Sequence, residues 1–505
     1  MNFTIMKKYF LFFILFSIFC HCVFAQINIE WKKCYGGSGD DGGAHMAITD
    51  DGGYIIAGYT WSCNGDITSN HGWGDYWIVK IDSVGIIQWQ KTIGGTEHDR
   101  ATSVMQTTDG GYIVSGESDS NDGDVYGHHG IPGNHKADFW VVKLNASGVV
   151  IWQKSLGGTD DDVANAIIQS SDGGYVVVGG GKSTDGDISS NNGTKKLWVV
   201  KLDSIGSIQW DTSLNGYANS VIQITNGGYA IGGYLNDDLL LVIMDSLGGV
   251  LWQETYGGSS WEQPGEIIQT NDKGFLIAGD SHSNDGDVTG NHGGQDFWVV
   301  KTDSIGNIIW QKSYGGSNGD NAWALSQTSD GDYIVAGITS SSDGDVTTTN
   351  YGSYDYWIIK IDTIGNIKWQ KSLGGSDSDS PFSVLEANNH SYIIAGESKS
   401  FNGDVIGNHG NRDYWIVKLS DITGIRQIKK EYVQVFPNPT QDKLYIKTIE
   451  SISSKLEIYN MQCELIINKK LTGEQCIDFS RFAIGVYIIR VINDNGVFIE
   501  KIIKE

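Results

Sequence analysis

Proline is scarce in this chain, with 5 in 505 residues, and charged residues make up only 19%. Long runs of Ala, Glu, Lys and Arg are few, which argues against a helical bundle. Gly does not recur at every third position, which excludes a collagen-like helix. Basic residues are the minority: 35 Lys and Arg face 60 Asp and Glu, a formal net charge of -25. Such a surface repels polyanions, so nucleic acid and anionic lipid are excluded as partners. Beyond the N-terminal run no segment is long and apolar enough to span a bilayer, so no integral membrane segment follows the leader. What is abundant is Gly (67), Trp (17) and aromatic residues generally (11%). That aromatic content excludes a disordered chain, and with many turn residues it predicts short strands in an all-β fold. Length alone allows three or four average domains.

The N-terminus reads as a secretory signal peptide over residues 1–25. Lys7 and Lys8 precede an apolar stretch from Tyr9 to Phe19, and Val23-Phe24-Ala25 offers the cleavage site. The signal takes Cys20 and Cys22 with it. Cys34, Cys63, Cys463 and Cys476 then remain, as two local pairs at opposite ends of the chain. In an exported protein this predicts disulfides Cys34–Cys63 and Cys463–Cys476. Free buried thiols are the other reading.

Repetition dominates the rest. Trp recurs ahead of a Gly-containing pair at Trp31, Trp89, Trp152, Trp210, Trp252, Trp310 and Trp369. Each unit continues with a segment of small and branched residues, then a turn and strand such as Asp109-Gly110-Gly111-Tyr112-Ile113-Val114. A variable loop, an Asp-Tyr/Phe-Trp-x-x-Lys strand and an Asp-Ser-Ile-Gly turn follow. That is four short strands per unit. Strands such as Trp357-Ile358-Ile359-Lys360-Ile361 are apolar on both faces, as they are when each sheet is covered on both sides. The sequence therefore predicts a seven-bladed β-propeller over residues 26–424. The segment from Ile27 to Cys34 serves as the missing outer strand of the last blade and hides its edge. Residues 425–431 read as a linker, and 432–505 as a small β-sandwich. An open β-solenoid is the alternative architecture.

Alternation of the strands sorts the connections to two faces. The Asp-Gly-Gly and Asp-Ser-Ile-Gly turns share one face, and the Gly-Gly-Ser/Thr loops and long variable loops share the other. Binding residues concentrate in such long loops. Trp61, Trp73 and Trp261, which fall outside the repeated Trp pattern, map there and are the candidate contacts. His71, His292 and His409, each in an Asn-His-Gly triplet, are candidates on the same face. The loops repeat Asp/Asn-Gly-Asp. In the second unit Asp119, Asn121, Asp122 and Asp124 offer oxygen ligands along a Gly-containing loop, which suits calcium, although the spacing is not a full helix-loop-helix motif and no Glu closes it. The same residues also read as Asx turns that cap their own loop. The fourth unit lacks this loop altogether. Enzyme signals are weak. Gly315-Gly316-Ser317-Asn318-Gly319 matches a nucleophile-elbow pattern but precedes no helix. The repeated His residues are near-equivalents, whereas a catalytic base is singular.

Two stretches resemble known families. Tyr35-Gly36-Gly37-Ser38-Gly39-Asp40-Asp41 through Asp51-Gly52-Gly53-Tyr54-Ile55-Ile56-Ala57-Gly58 is similar to bacterial β-propeller repeats. The C-terminal part, with Phe436-Pro437-Asn438-Pro439, Leu444-Tyr445-Ile446, Gly485-Val486-Tyr487-Ile488-Ile489 and Lys501-Ile502-Ile503-Lys504, resembles the type A sorting domain of the type IX secretion system in Bacteroidota. It departs from the family's pattern at Met461-Gln462-Cys463, where a Gly turn is usual. The resemblance implies that Pro437, Asn438, Pro439, Gly485, Tyr487 and Lys504 belong to the sorting motif, and that the type IX machinery is a partner. It also implies delivery to the outer cell surface or the medium. In that context Asp82-Ser83-Val84 and Asp303-Ser304-Ile305 resemble O-glycosylation acceptors, though turn chemistry accounts for them as well. The function expected is binding of a glycan or a surface protein without catalysis. A polysaccharide hydrolase or lyase with its site at the propeller centre is the alternative.

Overall fold

The computed structural model describes residues 27–130, 135–189, 191, 193–421, 433–448, 454–460, 465–471, 473–493 and 496–505. The expected signal peptide 1–25, the expected linker 425–431 and Met461-Gln462-Cys463 lie outside the described residues. The described chain forms two compact units, residues 27–420 and residues 421–505.

The first unit is seven four-stranded antiparallel sheets. Six use consecutive strands, over 41–93, 99–156, 162–214, 217–256, 262–314 and 320–373. The seventh takes three strands from 379–421, and the N-terminal strand Ile27–Tyr35 pairs with Asp413–Asp421 to complete it. The first two strands of each sheet contact the first strand of the next, and sheet seven contacts sheet one in the same way. The ring is closed, as a seven-bladed propeller.

The reason lies in the third strand of each blade. Asp75–Ile81 and Asp355–Ile361 are buried along their whole length, because a neighbouring blade covers each face. The aromatic residue at the second position packs on the Trp of the next blade. Tyr76 meets Trp140 at 4.5 Å, Phe297 meets Trp357 at 4.7 Å and Tyr356 meets Trp415 at 4.6 Å, between ring centroids. Tyr414 meets Trp77 at 4.5 Å, which joins the last blade to the first. The core thus lies between blades: Ile56, Trp77 and Val79 of blade one cluster with Ile393, Tyr414 and Ile416 of blade seven.

The outer-strand Trp that marks the repeat has a separate task on the turn face. Trp89 covers Gly148 in the turn of the next blade, where a Cβ would fall 2.9 Å from the ring. Gly148 also takes φ of 76°, so Gly is needed twice over. The Lys that ends the third-strand motif is buried and pairs with the first-turn Asp: Lys80 with Asp51 at 2.8 Å, Lys143 with Asp109 at 2.9 Å, Lys201 with Asp172 at 2.9 Å and Lys301 with Asp272 at 3.0 Å. Hydrogen bonds from Lys80 and Thr49 to Asp51, from Thr107 and Lys143 to Asp109, and from Ser170 and Lys201 to Asp172 hold these carboxyls down at about 2, against the upward push of burial.

The second unit is a small sandwich of a three-stranded and a four-stranded sheet. Leu444, Ile446, Leu456, Ile458, Ile489, Val491 and Ile502 fill the space between them. The sorting-motif residues spread over this unit. Asn438, between Pro437 and Pro439, donates from Nδ2 to the Lys501 carbonyl at 2.7 Å and accepts from the Ile503 amide at 3.0 Å. Gly485 opens a long strand in which Tyr487 donates from its hydroxyl to the Ala483 carbonyl at 2.9 Å, and Lys504 ends the last strand.

The expected Cys34–Cys63 disulfide is not formed. Cys34 sits in the closing strand beside Asp413, Asp379 and the Ile406 backbone, all of blade seven. Burial, reinforced by these carboxylates, pushes its thiol up to about 12. Cys63 is exposed in the loop of blade one. Sharing a face did not bring the two sulfurs together. Cys476 is likewise free and exposed, and its expected partner Cys463 lies outside the described residues.

Candidate functional site on the long-loop face

The Asp/Asn-Gly-Asp loops fold back onto the Gly-Gly-Ser/Thr loop of their own blade. In blade two Asp122 accepts from the Thr96 amide at 2.8 Å and from the Thr96 hydroxyl at 2.9 Å. The Asp124 amide donates to the Gly94 carbonyl at 2.9 Å. The same contact recurs from Ser38 to Asn64 (2.8 Å), Thr159 to Asp185 (2.8 Å), Ser259 to Asp285 (2.7 Å), Ser317 to Asp343 (2.7 Å) and Ser376 to Asn402 (2.8 Å). Asn serves as well as Asp because only an acceptor oxygen is needed.

These bonds occupy two of the four residues singled out for calcium, Asp122 and Asp124, both turned to the loop backbone. Asn121 is exposed, and the Asp119 carboxylate lies 3.9 Å from His135 Nδ1. Among the described residues, no three Asp, Glu, His or Cys side chains gather as a metal centre would require.

The three candidate His residues do not converge either. Each sits on its own blade and pairs through Nδ1 with the Asp that opens the third strand: His71 with Asp75 at 2.7 Å, His292 with Asp296 at 2.8 Å and His409 with Asp413 at 2.6 Å. Trp61 and Trp73 are brought together at His98, with centroids at 5.6 and 5.8 Å from its ring. Trp261 lies on blade five, stacked on His282 at 6.0 Å.

Beneath the loops, carboxylates meet in pairs across six of the seven blade junctions, all of them buried except the half-buried Asp238. In the first, Asp75 of blade one faces Asp99 of blade two across Gly94. A Cβ there would fall 2.5 Å from Asp75 Oδ1 and 2.6 Å from Asp99 Oδ2. This close approach is why the loop opens with Gly. Asp138/Asp162, Asp238/Glu262, Asp296/Asp320, Asp355/Asp379 and Asp413/Asp41 repeat the arrangement around Gly157, Gly257, Gly315, Gly374 and Gly36. Asp75, Asp138, Asp296, Asp355 and Asp413 each keep one buried oxygen without a hydrogen-bond partner. Burial, with the partner carboxylate adding to it, pushes Asp99 and Asp355 up to about 7 and Asp296 and Asp413 up to about 6.

Two features of this face went unread in the sequence. Exposed Tyr126, Tyr351, Tyr354 and Phe401 join the three Trp residues. Among the described residues of the propeller, every exposed aromatic side chain belongs to this face. The turn face instead carries exposed aliphatic tips such as Ile205, Leu247 and Ile305.

The other feature is the central channel, walled by the first strand of all seven blades. On the long-loop side it holds a cavity of about 320 Å³. Thr102, Asn165 and Asn219 line one wall, each donating to an inner-strand carbonyl of the following blade, at 2.9, 2.6 and 3.3 Å. Trp323 and Phe382 take the matching positions on blades six and seven and stack at 5.3 Å, nearly parallel. His45 and Glu266 reach across the waist, with Nε2 and Oε1 3.9 Å apart. Below them lies a second cavity of about 400 Å³ lined by aliphatic side chains and Met46 and Met105. Trp323 lies at neither of the two Trp positions of the repeat, and Phe382 occupies the same place one unit later. That was the available signal. The His45–Glu266 pair had none, because it joins inner strands four blades apart.

Residues 434–505 match the family described as the secretion system C-terminal sorting domain. Over 169 residues the chain is 25% identical to the regulatory protein FlaEY of Caulobacter vibrioides, a match spanning 30% of this chain and 17% of that protein. Among solved structures it is similar to a protein of unknown function from Bacteroides caccae, at 13% identity and a TM-score of 0.36, covering 60% of this chain and 92% of that one. It is also similar to the Pan2 WD40 domain of Neurospora crassa, at 10% identity and a TM-score of 0.44, covering 74% and 89%. The C-terminal unit is thus a type IX secretion sorting domain, and the protein is delivered to the outer cell surface or released.

Proposed function

We propose that the mature protein is a non-enzymatic binding protein that acts outside the cell and holds its partner on the long-loop face of the propeller. The observation that carries this reading is the segregation of exposed aromatic residues: Trp61, Trp73, Trp261, Tyr126, Tyr351 and Phe401 all lie on that face. Exposed aromatic side chains supply large contact area at low entropy cost and are frequent anchors of binding. Partners of the class expected are a surface glycan or a surface protein. Calcium is not needed for this reading, since Asp122 and Asp124 already accept from the loop backbone.

The hydrolase or lyase reading has one observation in its favour. Burial pushes the Glu266 carboxyl in the channel up to about 7, a value suited to a general acid at neutral pH. It lacks a second carboxylate at the waist, where hydrolysis of a glycoside uses two.

The test is to present the mature chain to a glycan array and to outer-surface protein extracts, and to assay hydrolysis of the same glycans. Specific capture that falls at least tenfold in Trp61→Ala/Trp73→Ala, without turnover, is the expected result. Turnover of any substrate overturns the binding-only reading.

A further inference from the structure

The channel waist has an unusual hydrogen-bonding arrangement. The Val104 amide donates to His45 Nδ1 at 3.3 Å, which leaves the proton of the neutral ring on Nε2. That Nε2–H faces Glu266 Oε1 at 3.9 Å, too far for a direct hydrogen bond. The other carboxyl oxygen, Oε2, is already taken by the Leu325 amide at 2.8 Å. A donor and an acceptor therefore face one another across a gap, on side chains that remain partly accessible. A group that both accepts and donates fills such a gap, and a hydroxyl does both.

The surroundings narrow the class further. Trp323 and Phe382 give the cavity an aromatic wall, against which an apolar ring face stacks. The opposite wall is of hydroxyl and amide side chains. Near the mouth Arg412 pairs with Glu397 at 2.9 Å, while Lys195 over the Tyr217 ring at 4.3 Å and Arg100 over the Tyr59 ring at 5.6 Å both act on the nearby Glu117 carboxyl. At the waist burial moves both groups toward their neutral forms, lowering His45 to about 4 and raising Glu266 to about 7. A protonated Glu266 adds no charge that would select an ion, and a hydroxyl suits the gap in either state, accepting from Oε1–H when the acid is protonated and donating to Oε1 when it is ionised. The volume, about 320 Å³, stands at the small end of ligand pockets.

We infer that the central cavity is a carbohydrate site for one uncharged sugar ring, stacked on Trp323, with a ring hydroxyl bridging His45 Nε2 and Glu266 Oε1. This deepens the binding reading above and rests on it, but it places the sugar inside the channel rather than on the outer aromatics.

The experiment uses the mature chain and a panel of methyl glycosides of neutral hexoses and N-acetylhexosamines, with methyl glucuronide as the charged control. Binding is read by titration calorimetry and saturation-transfer NMR. One or more neutral glycosides are expected to bind one per chain, with affinity lost at least tenfold in Trp323→Ala and Glu266→Gln. Trp323→Phe, which keeps a stacking ring, retains binding, and Ile305→Ser on the turn face leaves it unchanged. Thermal melts of each variant identify any that fail to fold, and Trp323→Phe with Glu266→Gln then carries the test. The inference is overturned if no neutral glycoside binds, if binding is indifferent to both Trp323→Ala and Glu266→Gln, or if the glucuronide binds best. Capture on the outer face that persists when no glycoside enters the channel leaves the broader reading standing and removes only this one.

Discussion

Blade four and the other six blades are built on one plan, yet blade four lacks much of what the others carry. Its second and third strands are joined by Asn236 and Asp237 alone, both at positive φ, and Leu235 pairs directly with Asp238. Leu240 replaces the third-strand Trp. At the junction that leads into it, Lys196 hydrogen-bonds Asn215 where other junctions hold two carboxylates. Even so, its four strands keep the same order and the same bulge in the first strand pair. Trp210 still covers Gly248 in its turn. What makes a blade is thus the buried aliphatic third strand, the tight turns and the Trp that covers the next turn. The loops, the carboxylate pairs and the aromatic tips are additions to one face, and additions that folding does not require point to function.

The sharpest test of that division removes something every blade shares. Trimming the chain to begin at Gly36 takes away the strand that closes blade seven and leaves Asp413–Asp421 as a bare edge. Loss of the cooperative melt, or aggregation on expression, is expected. A trimmed chain that melts within a few degrees of the parent would show that closure is incidental and that the blades stand by themselves.

Next in size is the side chain on which blade four differs. Trp357 is fully buried against Phe297, so Trp357→Ala is expected to cost about 3–5 kcal/mol by urea denaturation. Trp357→Leu, which imitates Leu240, should cost clearly less. If the two substitutions cost the same, blade four owes its stability to something other than an aliphatic side chain at this position.

How far the sequence carried is visible in these same residues. The Trp spacing placed all seven blades and the N-terminal closure, because covering a turn Gly and filling a blade junction are local, repeated needs that leave a periodic trace. The aspartate that opens six of the seven third strands was also in view as part of a motif. Its partner in the next blade was not, since nothing in spacing says that Asp75 and Asp99 share a site. The Cys34–Cys63 pairing failed for the same reason: a shared face fixes no distance. The channel was least legible. Its character comes from single departures, His45, Glu266, Trp323 and Phe382, in strands that otherwise carry small residues, and only closure of the ring brings them together.

The carboxylate pairs give a pH dependence that the blade three–four junction should lack. Asp99, Asp296, Asp355 and Asp413 bind a proton more tightly in the folded chain than in the unfolded one, whose carboxyls titrate near 4. Their contribution to stability is therefore complete below about pH 4 and is lost as pH rises through about 6 to 7. The Lys-paired Asp51, Asp109 and Asp172 act in the opposite sense and lose theirs as pH falls from about 4 toward 2. A melting temperature that peaks between these windows and falls toward pH 8 is expected. Asp355→Asn isolates one pair, since the Tyr351 amide is the single donor to that carboxylate and no His is present to be disturbed. It should raise the melting temperature at pH 8 by about 2–4 °C and leave it nearly unchanged at pH 5. No gain at pH 8 would mean that the two carboxylates do not repel.

The smallest effect expected is in the loops themselves. Asp343→Ala removes the acceptor for the Ser317 amide in blade six, an exposed bond worth about 1 kcal/mol. Asp343→Asn should cost almost nothing, because Asn64 and Asn402 already fill this role in blades one and seven. The pair of variants separates a backbone cap from a charge requirement. Were Asp343→Asn as damaging as Asp343→Ala, the carboxylate would be serving something beyond the loop, and melts with added calcium or a chelator would show whether that something is a cation. If Asn is tolerated, the loop is held as the structure holds it, by an oxygen atom and the amide it accepts from. Blade four could then omit the loop at little cost because the bond supports only the loop and not the sheet beneath it.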